Sequence, residues 1–311
     1  MEGQERGPDV RTAAGEAVPE ILAERRHLVS LAFRMLGTMA EAEDAVQETY
    51  LRWYRLSEEE RASIRVPRAW LTTAASRVCL NILDSARWRR ERYVGPWLPE
   101  PLPSSALPLP SQESDPADRV TLDDSVSSAL LLVLESMTPA ERVAFVLHDV
   151  FAVSFAEIGE IVGRTPAACR QLAASARRRV RRVREARVSP QEHDAVVAAF
   201  ARAAAHGDIA ALLRVLAPDV VLRSDGGGVV RAARNPILGS DRVSRFLLGI
   251  LRKRPGGQVA ECETSDGLGF AFWEEGRIFG VATLDVRGGL VSSVRIMMNP
   301  HKLTLWNAGR D

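Results

Sequence analysis

Lysine is nearly absent from this chain. Lys253 and Lys302 are the only two in 311 residues, so almost all positive charge is arginine. Cysteine is scarce as well. Cys79, Cys169 and Cys262 stand far apart, are odd in number and form no C-x-x-C. That spacing argues against a zinc knuckle or a disulfide framework and gives no reason to expect a cofactor; it fits a reducing, cytoplasmic setting. No apolar run approaches the ~20 residues that a membrane helix needs, so no membrane partner is expected. Residues 1–18 lack the apolar core of a signal peptide and read as a loose tail. An excess of either charge is missing too. With 41 basic against 40 acidic residues the net charge is +1, so any basic character is local.

What is present is an ordinary globular composition, 46% hydrophobic, in a length that suits two or three domains. The stretch from Thr138 to Arg187 organises the rest. Ser154-Phe155-Ala156-Glu157 is a capping box, which starts a helix at Phe155. Gly163 ends that helix, Thr165 caps the next, and Pro166 sits in its first turn. The second helix carries Arg170, Gln171, Arg177, Arg178, Arg179, Arg181 and Arg182. A short helix, a tight turn and a basic second helix make a helix-turn-helix. Arginine suits the task, because its planar fork pairs with guanine edges and its fixed charge neutralises phosphates. A solvated basic helix on a plain bundle is the competing reading.

Taken in order, residues 19–90 read as all helix. One helix runs from Ile21 to Leu36. Thr38-Met39-Ala40-Glu41 is a capping box for the next, which has Ala42, Ala45, Val46, Thr49 and Trp53 on one face and Glu41, Glu43, Asp44, Gln47 and Glu48 on the others. That acidic surface is either solvated helix or a docking face for a basic partner. Ser57 to Arg65 reads as a polar loop. Pro67 opens a third helix, with Trp70, Leu71, Ala74, Val78 and Ile82 inward, ending in Asn81, Asp84, Arg87, Trp88, Arg89 and Arg90. Arginine interleaved with an aromatic suits an unpaired strand, since rings stack on exposed bases. Residues 91–120 are a Pro-rich linker, yet Tyr93, Val94, Trp97 and Leu98 are too apolar for a passive tether and are expected to dock on a domain. Residues 121–187 return to helix, from about Leu122, and a further capping box, Thr138-Pro139-Ala140-Glu141, leads to the helix-turn-helix.

The texture changes at Ser189. Two helices, stopped by Gly207 and Leu216, precede runs that read as strands: Val220–Arg223, Val229–Arg231, Val259–Thr264, Leu268–Trp273, Arg277–Val286 and Leu290–Met298. A helix from about Asp241 to Leu251 interrupts them, and Arg287-Gly288-Gly289 makes a hairpin turn. Helices followed by an antiparallel sheet indicate a separate α+β domain over residues 189–311.

Ala42-Glu43-Asp44-Ala45-Val46-Gln47-Glu48-Thr49-Tyr50 resembles the second conserved region of bacterial RNA polymerase sigma factors. Pro67-Arg68-Ala69-Trp70-Leu71, followed by Asn81, Asp84 and Arg87, resembles the next helix in the extracytoplasmic-function (ECF) group. Thr138-Pro139-Ala140-Glu141-Arg142 and the helix-turn-helix resemble the fourth region. In the linker, Tyr93-Val94-Gly95-Pro96-Trp97-Leu98-Pro99-Glu100-Pro101 is similar to the signature of the SigJ-type subgroup, as are Asp225-Gly226-Gly227-Gly228 and Asn299-Pro300-His301-Lys302-Leu303. Two positions depart from the subgroup pattern: Val229 stands where it has lysine, and His301 where it has aspartate.

The resemblance implies two all-α domains and a C-terminal cone of the NTF2-like, SnoaL-like fold. It implies core RNA polymerase and promoter DNA as partners. Glu43, Asp44, Gln47 and Glu48 would dock on polymerase. The Ser57–Arg65 segment, with Asn81, Asp84, Arg87, Trp88, Arg89 and Arg90, would hold the opened minus-ten strand. Arg164, Thr165, Arg170, Gln171 and Arg178 would read the minus-thirty-five element, while Arg177, Arg181 and Arg182 hold phosphates. Tyr93, Trp97, Asp225, Gly226, Asn299, Pro300 and Lys302 would make regulatory contacts between linker and C-terminal domain. A small-molecule ligand in the C-terminal pocket is left open. A stand-alone helix-turn-helix regulator and an NTF2-like enzyme with a DNA-binding appendage remain as alternatives. For catalysis, Asp225, Asp266, Asp285, His206 and His301 are candidates by residue type, but their spacing makes no dyad or triad. No lysine follows Gly226–Gly228, which excludes a Walker loop.

Overall fold

The computed structural model describes residues 21–90, 93–106, 127–185, 188–253 and 256–308; the side chains of 86–90, 183, 184, 251 and 253 lie outside it. The expected tail, the helix start near Leu122 and most of the Pro-rich stretch therefore fall outside the described residues.

Helix α1 spans Arg25–Leu36 and ends at Gly37, whose φ of 81° gives the left-handed cap. Residues 21–23 are helical as expected, but a turn at Glu24 separates them from α1. Helix α2, Met39–Arg55, buries the expected stripe of Ala42, Ala45, Val46, Thr49 and Trp53. Its capping box is only half made. Thr38 accepts from the Glu41 amide at 3.4 Å, but the Met39 amide donates to a carboxylate from the linker, Glu100, at 2.7 Å. The expected loop at Ser57–Arg65 instead contains a short helix, α3, Glu58–Ser63. Ser57 and Glu60 form a complete capping box there, with bonds of 3.1 and 2.7 Å, and that box stabilises one helical turn with no buried residue. Helix α4 is Pro67–Arg90.

Helix α5, Ser128–Glu135, leads to α6, Pro139–Phe145, whose start is the full Thr138–Glu141 box. The chain then widens into a π turn, Val146–Val150, which no sequence signal announced. Helix α7, Phe155–Val162, begins at the Ser154–Glu157 box and ends at Gly163, φ 68°. Helix α8, Pro166–Arg184, starts where Thr165 accepts from the Ala168 amide at 3.2 Å. The turn between them is tight: a Cβ on Gly159 would stand 2.7 Å from the Arg164 carbonyl oxygen.

These two helical units do not stand apart. Leu28, Phe33, Val46 and Leu71 belong to the same buried cluster as Val143, Leu147, Ile158 and Val180. Arg142 crosses between them. It is 3% exposed and donates to the carbonyls of Met35, at 2.7 Å, and Leu134, at 3.0 Å, while pairing with Glu135. Phe151, just past the π turn, meets His27 edge-on at 5.2 Å and lies under the Arg34 guanidinium. Burial, then the charges of Arg68 and Arg34, hold the His27 pKa down to about 4.

In the C-terminal domain, α9 (Pro190–Ala205) and α10 (Ile209–Val215) precede β1 (Leu216–Asp225), β2 (Ile237–Leu238) and α11 (Ser240–Lys253). Then follow β3 (Gln258–Thr264), β4 (Gly267–Glu274), β5 (Arg277–Arg287) and β6 (Leu290–Met297), and a short α12 (Thr304–Asn307). The strand order is β2-β1-β6-β5-β4-β3. Two expectations are corrected. The sheet is not wholly antiparallel, since β1 runs parallel to β6. Nor is Val229–Arg231 a strand: Gly227 and Gly228 have φ of 64° and 74°, and the amides of Val229 and Val230 both turn back to the Gly226 carbonyl. The hairpin at Gly288-Gly289 is as expected, pairing Arg287 with Leu290. The helices cover one face of the sheet around Val197, Phe200, Leu212, Phe270 and Val294. On a third cluster, Ile278, Val281, Met297 and Trp306 receive Leu98 from the linker, with Leu132 of α5 against it.

Candidate polymerase and nucleic-acid interfaces

Helix α2 turns its apolar stripe inward, which leaves Glu43, Asp44 and Gln47 exposed on the outer side. Glu48, half-buried, is held by Arg52 at 2.9 Å, and Glu43 pairs with Arg25 at 3.1 Å. Leu51 and Tyr54 of the same helix are 46% exposed each, so the acidic patch has an apolar flank. Asn81 and Asp84 are exposed on α4. Arg87, Trp88, Arg89 and Arg90 continue that helix, with side chains outside the described residues.

On the helix-turn-helix, Val180 and the buried Cys169, Ala173 and Ala176 fasten α8 to the core. The opposite side presents Arg164, Thr165, Arg170, Gln171, Arg178, Arg181 and Arg182, all exposed. The arginines differ in freedom. Arg170 lies over the Phe155 ring at 5.4 Å, Arg177 is bound by Asp149, and Arg181 by Glu185 at 2.6 Å. Arg179 reaches the Ser136 carbonyl at 3.1 Å.

The linker residues and the two C-terminal motifs meet in one clamp. Asp225, 0% exposed at the end of β1, accepts from the Tyr93 hydroxyl at 2.5 Å, the Leu98 amide at 3.0 Å and the Lys302 ammonium at 2.9 Å. Lys302 also donates to the Leu98 carbonyl at 2.6 Å, and its Nζ stands 4.2 Å from the Trp97 ring centroid. Asn299 donates to Tyr93 at 3.0 Å. Burial, then the bond to Asp225, push the Tyr93 phenol up. Gly226 and Gly227 let these loops close: a Cβ on Gly226 would meet the Val230 carbonyl at 2.2 Å, and one on Gly227 would meet Asn299 at 2.5 Å. Pro300 opens a 3-10 turn that carries Lys302 inward. Val229 and His301, the two departures from the subgroup pattern, have exposed side chains; His301 joins only through its amide, which donates to Asn299 at 3.1 Å.

Beyond the clamp, the linker reaches the first helical unit. The Glu100 amide donates to Gly37, and Trp97 lies against Gly37, where a Cβ would meet its ring at 2.8 Å. The Trp306 indole donates to the Pro101 carbonyl at 2.7 Å. Asp266 accepts from the Ser128 amide at 2.7 Å, at the start of α5. One C-terminal domain thus grips both the linker and the second helical unit. Sequence reasoning missed Glu100, Arg142, Asp266 and Trp306 as joining residues. A lone acid between two prolines was the only signal that could have pointed to Glu100.

The candidates for catalysis by residue type are dispersed. Asp225 is in the clamp; Asp285 and Asp266 flank buried Arg295 at 2.5 and 3.6 Å; His206 and His301 are exposed in separate places. Among the described residues no group of three or more His, Cys, Asp and Glu could hold a metal ion, and no helix is long and apolar enough to cross a membrane.

Comparison with known proteins converges on one family. Residues 21–89 match the family model for Sigma-70 region 2, and residues 127–180 match that for Sigma-70 region 4. The chain is 43% identical over 239 residues to the ECF RNA polymerase sigma factor SigJ of Mycobacterium tuberculosis, covering 76% of this chain and 73% of that one. It is 37% identical over 285 residues to the probable ECF sigma factor SigI of the same organism, covering 90% and 92%. The crystal structure of M. tuberculosis SigJ superposes with a TM-score of 0.69 at 37% identity, over 92% of this chain and 98% of that one. An exposed acidic helix, a helix-turn-helix with outward arginines and a C-terminal α+β domain clamped to the linker thus fall in one lineage: this chain belongs to the ECF RNA polymerase sigma factors, of SigJ type, which direct promoter-specific initiation of transcription by RNA polymerase.

Proposed function

We propose that the C-terminal domain regulates this sigma factor in cis, by holding its two promoter-contacting regions in a closed arrangement. Family membership implies a non-enzymatic regulator whose partners are core RNA polymerase and promoter DNA. The supporting observation is the buried cluster shared by region 2 and region 4. The minus-ten and minus-thirty-five elements lie about 25 base pairs apart, or roughly 85 Å at 3.4 Å per pair. Regions that bury side chains in one core cannot occupy both elements, so the core must part before initiation. The linker clamp and the Asp266–Ser128 bond tie the cone to both halves, and so bias the equilibrium between closed and open states.

In the open state, the face carrying Glu43, Asp44, Gln47 and Glu48 would dock on polymerase. Asn81, Asp84 and the Arg87–Arg90 end would hold the melted strand. Arg164, Thr165, Arg170, Gln171 and Arg178 would read the duplex, with Arg177, Arg181 and Arg182 on phosphates. Run-off transcription with core polymerase on a promoter pool tests this. The full chain should initiate, Asp44→Arg with Glu48→Arg should abolish initiation, and Lys302→Met should raise it severalfold. A stand-alone regulator would be indifferent to the charge reversal. A fall in initiation with Lys302→Met would show that the clamp serves activation and would overturn the closed-state reading.

A further inference from the structure

Between its helices and its sheet the C-terminal domain has a cavity of about 730 Å³, open to solvent on one side. Phe200, Phe270, Phe272, Phe279, Leu248 and Ile296 are among the apolar residues of the wall, and Phe272 and Phe279 stack at 6.0 Å. His206, Arg252 and Glu261 line it too, and all three are exposed, which places the polar groups at the opening. Apolar walls hold water poorly, because they offer it no hydrogen bonds. Size and lining match concave small-molecule sites of about 300–1,000 Å³.

Strand β6 supplies a second, independent observation. Its side chains alternate. Val294, Ile296 and then Met298 line the cavity. On the other face, Arg295 pairs with Asp266, which holds the start of α5, and Met297 packs with Leu98 of the linker. The next residues, Asn299 to Lys302, are the clamp itself. One strand therefore has the cavity on one side and, on the other, the contacts that hold the start of α5 and the linker.

We propose that this cavity binds a small molecule with an apolar, aromatic body and one polar end, and that occupancy acts through β6 on the linker clamp. The second half rests on the cis-regulatory reading. A ligand shifts the clamp only if it binds its closed and open forms unequally. The test is titration of the full chain with N-phenyl-1-naphthylamine, a neutral fluorophore of this class. Saturable enhancement at one site is expected, weakened at least tenfold in Ala204→Phe and in Ala201→Phe, two half-buried wall positions checked for folding by circular dichroism. Hydrogen exchange at the Leu98 and Glu100 amides should change at least threefold at saturation. Absence of saturation, or saturation untouched by both folded variants, would overturn the site, as would a light-scattering mass that doubles while the dye is excluded. Saturation with unchanged exchange would overturn the coupling, whereas transcription by Lys302→Met judges the cis-regulatory reading separately.

Discussion

Lys302 is one of only two lysines in the chain, and its ammonium is buried against the carboxylate of Asp225. Removing one partner of such a pair strands the other charge, at a cost of about 3–5 kcal/mol. Lys302→Met should therefore lower the calorimetric unfolding temperature and make the linker bonds around Tyr93–Leu98 cleavable by protease. Adding Asp225→Asn to it should recover part of the loss, since neither charge is then stranded. Glu100 behaves differently. Burial raises its pKa from 4.5 to about 7, against the opposing pull of the Met39 amide and Lys302. A carboxyl whose pKa is raised in the closed state favours that state below 4.5, and the contribution fades as pH rises through 7. The effect is on the order of 3 kcal/mol. His27 works in the opposite sense: its pKa is lowered from 6.5 to about 4, so its contribution is present above 6.5 and lost as pH falls through 4. Denaturant unfolding from pH 5 to 8 should show the alkaline loss in the native chain and a flatter alkaline limb in Glu100→Gln.

At the scale of elements, helix starts decided most of what could be read ahead. Two expected capping boxes are complete, at Thr138 and Ser154, and a third, at Ser57, starts a short helix where the sequence reads as loop. On α8 the arginines divide by what already holds them. Arg178 is exposed, whereas Arg177 is tied to Asp149. Arg178→Ala should cost about 1–3 kcal/mol in promoter binding and relax specificity at one base pair; Arg182→Ala should weaken all sequences alike and reduce the salt slope by about 1. Fluorescence anisotropy on the isolated promoter duplex over a salt series separates the two. The tight turn before α8 gives a further prediction. Gly159→Ala places a Cβ 2.7 Å from a backbone oxygen, so this variant should lose about 1–3 kcal/mol of stability and most DNA binding.

For the molecule as a whole, the proposed regulation in cis requires that the closed pair of regions yield. Spin labels at exposed Ala69 on α4 and exposed Ala156 on α7 should report a short distance in the free chain. On adding core polymerase and promoter the distance should lengthen toward the roughly 85 Å spacing of the two elements. Pulsed dipolar spectroscopy measures both. An unchanged distance in a transcribing complex would rule out opening as the activating step.

Periodicity, caps and turn glycines are local properties, and they determined the helix-turn-helix, the acidic helix and the strands β3 to β6 from the sequence alone. For Tyr93, Asp225, Asn299 and Lys302 it was resemblance to the SigJ-type subgroup, in the linker and in two C-terminal motifs, that implied regulatory contacts. What the tertiary structure decided is everything that depends on long-range approach. The parallel pairing of β1 with β6 joins residues some seventy positions apart, Leu216 with Val291 among them. Glu100 completes the cap of a helix 61 positions upstream. Arg142 binds a carbonyl 107 positions away and helps fuse two regions into one core. Hydrophobic burial has no direction and leaves no mark on the local pattern, so a stripe that faces inward reads the same whether its partner is its own domain or another.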